Sequence, residues 1–145
     1  MPKPKPRRDG REAALQFLFS HDINTLDEDD TIEAAIAAFW EIRNVGVDQA
    51  RKFANKLIKG VLEKHDVIDE KIIECLENYR MERVTLVDRN LLRLAVYEIA
   101  FSDHIPPHAA INEAIEIAKR FGAEGSPRFI NGVLDRIAKN SAPAD

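Results

Sequence analysis

The sequence has little of what secreted, membrane-spanning or catalytic proteins need. Its one cysteine, Cys75, excludes an intrachain disulfide, and a reducing cytoplasm is the expected setting. No stretch approaches ~18 consecutive apolar residues, so no transmembrane helix is expected. The N-terminus is charged but has no apolar run behind it, which argues against a secretory signal. Strand-like alternation of apolar and polar residues is absent, which argues against a sheet. The chain also lacks a glycine-rich phosphate loop, HExxH, CxxC and GxSxG. His104 and His108 flank two prolines that prevent a regular helix across them, and no cysteine lies nearby, so no metal site is expected. Di-iron bundles need Glu-x-x-His pairs, which Asp88, Glu98, Glu113 and Glu116 do not supply; they read as solvated faces and caps. No catalysis and no cofactor are expected.

What is present is a soluble, helix-forming chain with segregated charge. At 145 residues, 45% of them apolar and 32% charged, it is long enough for one domain, or for two small subdomains sharing a core. The net charge is −4, yet Lys3, Lys5, Arg7, Arg8 and Arg11 against Asp9 leave residues 1–11 at +4 and the other 134 at −8. A basic arm on an acidic body is an electrostatic footprint for a polyanion, or else a solvated tail. Prolines at positions 2, 4 and 6 keep residues 1–6 extended and out of the helix beyond them.

Apolar residues recur with a period near 3.6 along the rest of the chain. The spacing predicts helices over about 8–23, 31–43, 48–64, 66–79, 86–101, 107–121 and 126–139. Asp48 caps the third. Cys75 lies in the fourth as a small buried hydrophobe. Thr85 and Asp88 form a weak capping box before LVDRNLLRLAVYEIAF (86–101), which is apolar nearly all round and so a central helix. Pro107 opens the sixth helix and Gly122 stops it. Ser126 and Pro127 open the seventh, where the cost of Gly132 implies close approach of another backbone. The tail NSAPAD is expected to fray.

The residues left for function are those of recognition. Beside the arm stand Lys119 and Arg120 at the end of the sixth helix, and Arg128 with Phe129 in the first turn of the last. The loop FGAEGSPRF (121–129) presents a helix N-terminus, whose N–H groups favour phosphate oxygens. A ring beside a guanidinium suits unpaired bases. Phe129 also shares a stripe with Val133 and Ile137, so a core reading stands beside the stacking one. Phe19 in the first helix poses the same choice.

The stretches RDGREAALQFLF (8–19), LVDRNLLRLAVYEI (86–99), IPPHAAINEAIEIAKRFG (105–122) and SPRFINGVLDRIAK (126–139) closely resemble the NusB family of bacterial transcription antitermination factors. Residues 24–80 match only as amphipathic helices of suitable length. The resemblance implies a seven-helix all-α fold, with two three-helix subdomains around a long central helix. It implies one RNA-binding domain over 1–145, with a basic arm at about 1–7, an N-terminal half at about 8–80 and a C-terminal half at about 81–140. It implies a non-enzymatic protein that pairs with the small-subunit ribosomal protein NusE. Together the two bind boxA, a single-stranded element of nascent ribosomal RNA, within the RNA polymerase antitermination complex. The family's arginine-rich motif falls on Arg7, Arg8 and Arg11, with Asp9-Gly10 interrupting it. Its RNA-side aromatics fall on Phe19 and Phe129, the basic partner of the latter on Arg128, and a NusE-facing acid on Asp88. Gly125 stands where some relatives carry an acid.

Two other readings fit the same pattern. One is the related N-terminal domain of rRNA cytosine methyltransferases, disfavoured because no methyltransferase sequence is present. The other is a helical protein-interaction module with no RNA role. Self-association as a homodimer through apolar faces is compatible with any of them.

Overall fold

The computed structural model describes residues 5–24, 26–27, 29–43, 48–77 and 80–141. Seven α-helices account for most of them: α1 Pro6–Ile23, α2 Ile32–Arg43, α3 Asp48–Glu63, α4 His65–Glu74, α5 Leu86–Phe101, α6 Pro107–Phe121 and α7 Ser126–Ser141. A single 3-10 turn, Met81–Arg83, precedes α5. No strand occurs among the described residues. The all-α, seven-helix reading of the sequence therefore holds.

Local chemistry explains most boundaries. Pro6 occupies the first turn of α1, where its missing N–H costs nothing, so this proline starts the helix rather than holding the chain out of it. Thr31 Oγ1 accepts the Ala34 N–H at 3.1 Å and opens α2. Thr85 Oγ1 accepts the Asp88 N–H at 3.2 Å and opens α5, as the spacing predicted. α4 is shorter than its periodicity suggests and ends at Glu74. There the Cys75 N–H turns back to the Ile72 carbonyl at 2.9 Å, tightening the last turn. Arg136 of α7 then donates from Nε to the Cys75 carbonyl at 2.9 Å, covering the freed acceptor. Position 79, where the helix was expected to end, lies outside the described residues. α7 continues through Asn140 to Ser141, into the tail expected to fray, and residues 142–145 lie outside the described residues.

The chain forms two compact units that divide between Lys59 and Gly60, inside α3. The family resemblance implied halves that divide near residue 80. Packing places α4 in the second unit, because it lies against α5 and α7.

In the first unit, Ala13, Ala14, Phe17, Leu18, Ile36, Trp40, Ala50, Ala54 and Leu57 are buried. The Phe39 ring meets Phe17 edge-on at 5.5 Å and Trp40 at 5.2 Å. In the second unit α5 carries seven consecutive buried residues, Asn90 to Val96, and packs against α4, α6 and α7. Arg93 grips Asp69 of α4 with two hydrogen bonds, Nε to Oδ1 at 2.8 Å and Nη2 to Oδ2 at 2.9 Å. A bidentate pair of this kind fixes orientation as well as distance.

The glycines reverse two expectations. Gly132 faces open space: a Cβ there would meet only Arg136 Nη1, at 3.8 Å, so no backbone closes on it. Gly10 is the packing glycine. It is buried in α1, and a Cβ on it would stand 2.9 Å from the Ala50 carbonyl oxygen of α3. At the end of α6, Gly122 has φ −91°, an ordinary extended value, so its need for glycine is steric. A Cβ there would fall 2.6 Å from Ser126 Cβ.

Candidate nucleic-acid interface

The basic arm enters α1 with Lys5 as its N-cap residue and Arg7, Arg8 and Arg11 within the first two turns. Helical spacing puts residues 7 and 11 on one face. Both guanidinium groups lie over the Phe53 ring of α3, 5.3 Å from its centroid for Arg7 and 5.2 Å for Arg11. Cations over a ring face gain about 0.5–2 kcal/mol each, more as water is excluded. The contact needs α1 and α3 to lie close, and buried Gly10 permits it. Gly10 thus serves the arginines instead of disrupting them.

The arginines are not equivalent. Arg7 and Lys5 are exposed, Arg8 is half-buried, and Arg11 is only 4% exposed. Arg11 braces the Phe53 ring, whereas Arg7 stands toward solvent above it. Phe19, farther along α1, is half-exposed. Lys3 lies outside the described residues.

The second unit carries the other candidates. Lys119 and Arg120 are both exposed at the C-terminal end of α6. Lys119 Nζ pairs with Glu116 Oε1 at 2.9 Å, and the Arg120 guanidinium lies 5.1 Å from the Phe121 ring centroid. In the first turn of α7, Arg128 is exposed and Phe129 half-exposed. Ile130, Val133, Leu134 and Ile137 supply the buried stripe of α7, which leaves Phe129 at its edge. Gly125 beside them has open space around it.

Asp88 is placed differently from a surface acid. It is 7% exposed, and its Oδ2 accepts a 3.0 Å hydrogen bond from Ser126 Oγ. The same hydroxyl accepts the Ala123 N–H at 3.0 Å, so it ties the α6–α7 corner to the start of α5. The other carboxylate oxygen, Oδ1, is buried with no hydrogen-bond partner. Burial pushes the Asp88 carboxyl above its ordinary pKa, against the lowering effect of the Ser126 hydrogen bond.

Among the described residues, no group of three or more His, Cys, Asp or Glu side chains is arranged to hold a metal ion. His104 Nε2 lies 3.0 Å from Glu98 Oε2 on α5. Among the described residues no helix is long and apolar enough to cross a membrane.

The family model described as the NusB family matches residues 8–139. The chain belongs to the NusB family. A transcription antitermination protein NusB of Desulfotalea psychrophila is 47% identical over 133 residues, covering 90% of this chain and 94% of that protein. Among solved structures, NusB of T. maritima superposes with a TM-score of 0.81 at 40% identity, over 99% of this chain and 96% of its own. A NusB crystallised with NusE and dsRNA superposes with a TM-score of 0.77 at 26% identity, over 93% of this chain and 97% of its own. The family match begins at Arg8, so Lys5 and Arg7 stand ahead of the matched span.

Phe53 and Ser126 are the residues whose part sequence reasoning missed. Phe53 reads as one more inward position of α3, and Ser126 as a simple helix start. Each is joined to its partners only by the folded chain. A signal existed for Phe53 in the spacing of Arg7 and Arg11, which share a helix face and need something to lie on.

Proposed function

We propose that this chain is a transcription antitermination factor that acts without catalysis. It binds boxA-type single-stranded RNA in nascent rRNA transcripts together with NusE, and helps RNA polymerase read through terminators. It acts in the cytoplasm, and residues 1–145 serve as one RNA-binding domain. The observation that carries the reading is the pair of arginines held on Phe53 at the start of α1, in a family whose relatives include a NusB crystallised with NusE and dsRNA.

Physical chemistry supplies the roles. Lys3, Lys5, Arg7 and Arg8 neutralise phosphates without reading sequence, and their contribution falls with salt. Arg11, being buried, positions the Phe53 ring beneath Arg7. Lys119, Arg120 and Arg128 form a second set of cations, and Phe129 and Phe19 offer faces for base stacking. Asp88 serves NusE binding by holding the α6–α7 corner in shape. A few cations on a chain of net charge −4 bind a polyanion weakly, so a basic partner that enlarges the positive surface is expected to strengthen binding.

The experiment is RNA binding with and without NusE, comparing boxA with a scrambled sequence across a salt series. NusE is expected to raise affinity for boxA more than for the scrambled RNA. Equal affinities in the presence of NusE would defeat the sequence-selective reading.

A further inference from the structure

Outside the basic surfaces, the first unit has a groove of about 470 Å³ between α2 and α3. That volume lies within the ~300–1,000 Å³ typical of ligand sites. Its apolar floor is Ile36, Ala37 and the Trp40 indole. The Arg51 guanidinium lies over that indole, 5.0 Å from the ring centroid. Arg51 Nε is buried and has no hydrogen-bond partner. Trp40 Nε1 donates to Asn55 Oδ1 at 2.7 Å, which leaves the Asn55 amide nitrogen available as a donor. Lys59 is exposed at the same wall.

We propose that this groove binds a peptide segment of a partner protein, one that presents a single carboxylate between aliphatic side chains. Because Nε is closed to solvent, an incoming group meets the terminal nitrogens of the Arg51 guanidinium, and a carboxylate is the acceptor that suits them best. Asn55 and Lys59 add donors on the α3 wall, and the floor takes aliphatic side chains. The opposite wall decides what kind of anion enters. Glu33 and Glu41 line it from α2, so the four charged side chains of the groove sum to zero. A polyphosphate chain would meet both acids. A lone carboxylate meets Arg51, and a basic residue two positions on in the peptide meets Glu33 or Glu41. The groove therefore selects against nucleic acid and for a mixed-charge peptide, independently of the RNA surfaces.

The chain's single tryptophan is Trp40, so its fluorescence reports this groove alone. The full chain is titrated with the acetylated and amidated peptide Leu-Glu-Leu-Lys, and with the same peptide carrying Gln for Glu. The Glu peptide is expected to give a saturable change with a Kd on the order of 1 mM or below, and the Gln peptide at least ~10-fold weaker binding. Arg51→Met keeps the apolar stem and is expected to abolish the response with unchanged helical circular dichroism. No response to the Glu peptide up to about 5 mM would overturn the proposal. So would equal binding of the two peptides by the unaltered chain, or a response to single-stranded oligouridylate as large as that to the peptide.

Discussion

Arg11 of α1 and Phe53 of α3 are locked together: the guanidinium lies 5.2 Å from the ring centroid, and the arginine is almost wholly buried. Arg7, one turn earlier, uses the same ring. One aromatic ring thus organises two cations of the arm. Phe53→Leu keeps apolar bulk and removes the face, which is worth about 0.5–2 kcal/mol per cation. RNA affinity is expected to fall roughly 2- to 30-fold, with helix content preserved. Fluorescence anisotropy with labelled boxA RNA, alongside circular dichroism, checks this. Undiminished affinity in a folded variant would show that the arginines act without the ring.

Two helical glycines are expected to respond in opposite directions. Gly10→Ala pushes a methyl against the Ala50 carbonyl and the Phe53 ring, and overpacking of this kind costs about 1–3 kcal/mol. Gly132→Ala meets no close atom and gains helix propensity of up to ~1 kcal/mol. The thermal midpoints should move apart, down for the first and up by ~2–4 °C for the second. A stabilised Gly10→Ala would contradict the close approach of α1 and α3.

Phe129 stands at the edge of the α7 core, half-exposed beside exposed Arg128. Stacking on a base is worth about 1–3 kcal/mol per ring, so Phe129→Ala should weaken RNA binding by ~5- to 150-fold while the melting temperature changes little. A fall of many degrees in melting temperature, with RNA binding intact in the folded fraction, would assign the ring to the core.

Asp88 makes stability depend on pH in a definite direction. Its carboxyl titrates above the ordinary value of 3.8 in the folded chain because burial disfavours the charged form. The folded state holds its proton more tightly than the unfolded state, so this site's contribution to stability falls as pH rises above about 3.8. Asp88→Asn removes the titration while keeping an acceptor for Ser126. The melting temperature of the variant relative to the unaltered chain should improve from pH 3 to pH 7. A difference that does not vary with pH would mean that Asp88 titrates alike in both states.

Much of this fold was legible in the sequence because helices are local. Period, caps and breakers located all seven, with α5 and α6 bounded correctly by Thr85, Pro107 and Gly122. The failures share a cause. α4 ends at a turn whose free carbonyl, that of Cys75, is taken by a side chain of α7, a partner far along the chain. Gly132 looked like a contact point and is not one, while Gly10 looked like an interruption and is the contact point. Spacing places a glycine on a helix but does not say what faces it. The same holds at the candidate site. The exposed cations could be named from composition, whereas the burial of Arg11 and Asp88 depends on which helix lies opposite.

At the corner between α6 and α7, a Cβ on Gly122 would collide with Ser126, whose hydroxyl is engaged by both Ala123 and Asp88. Surface connections usually drift in length during evolution. Here the two ends of the loop are set against each other and pinned to a third helix, so its length is dictated as strictly as a core residue's volume. Insertions that elsewhere would merely lengthen a loop would here re-aim the first turn of α7, and with it Arg128 and Phe129.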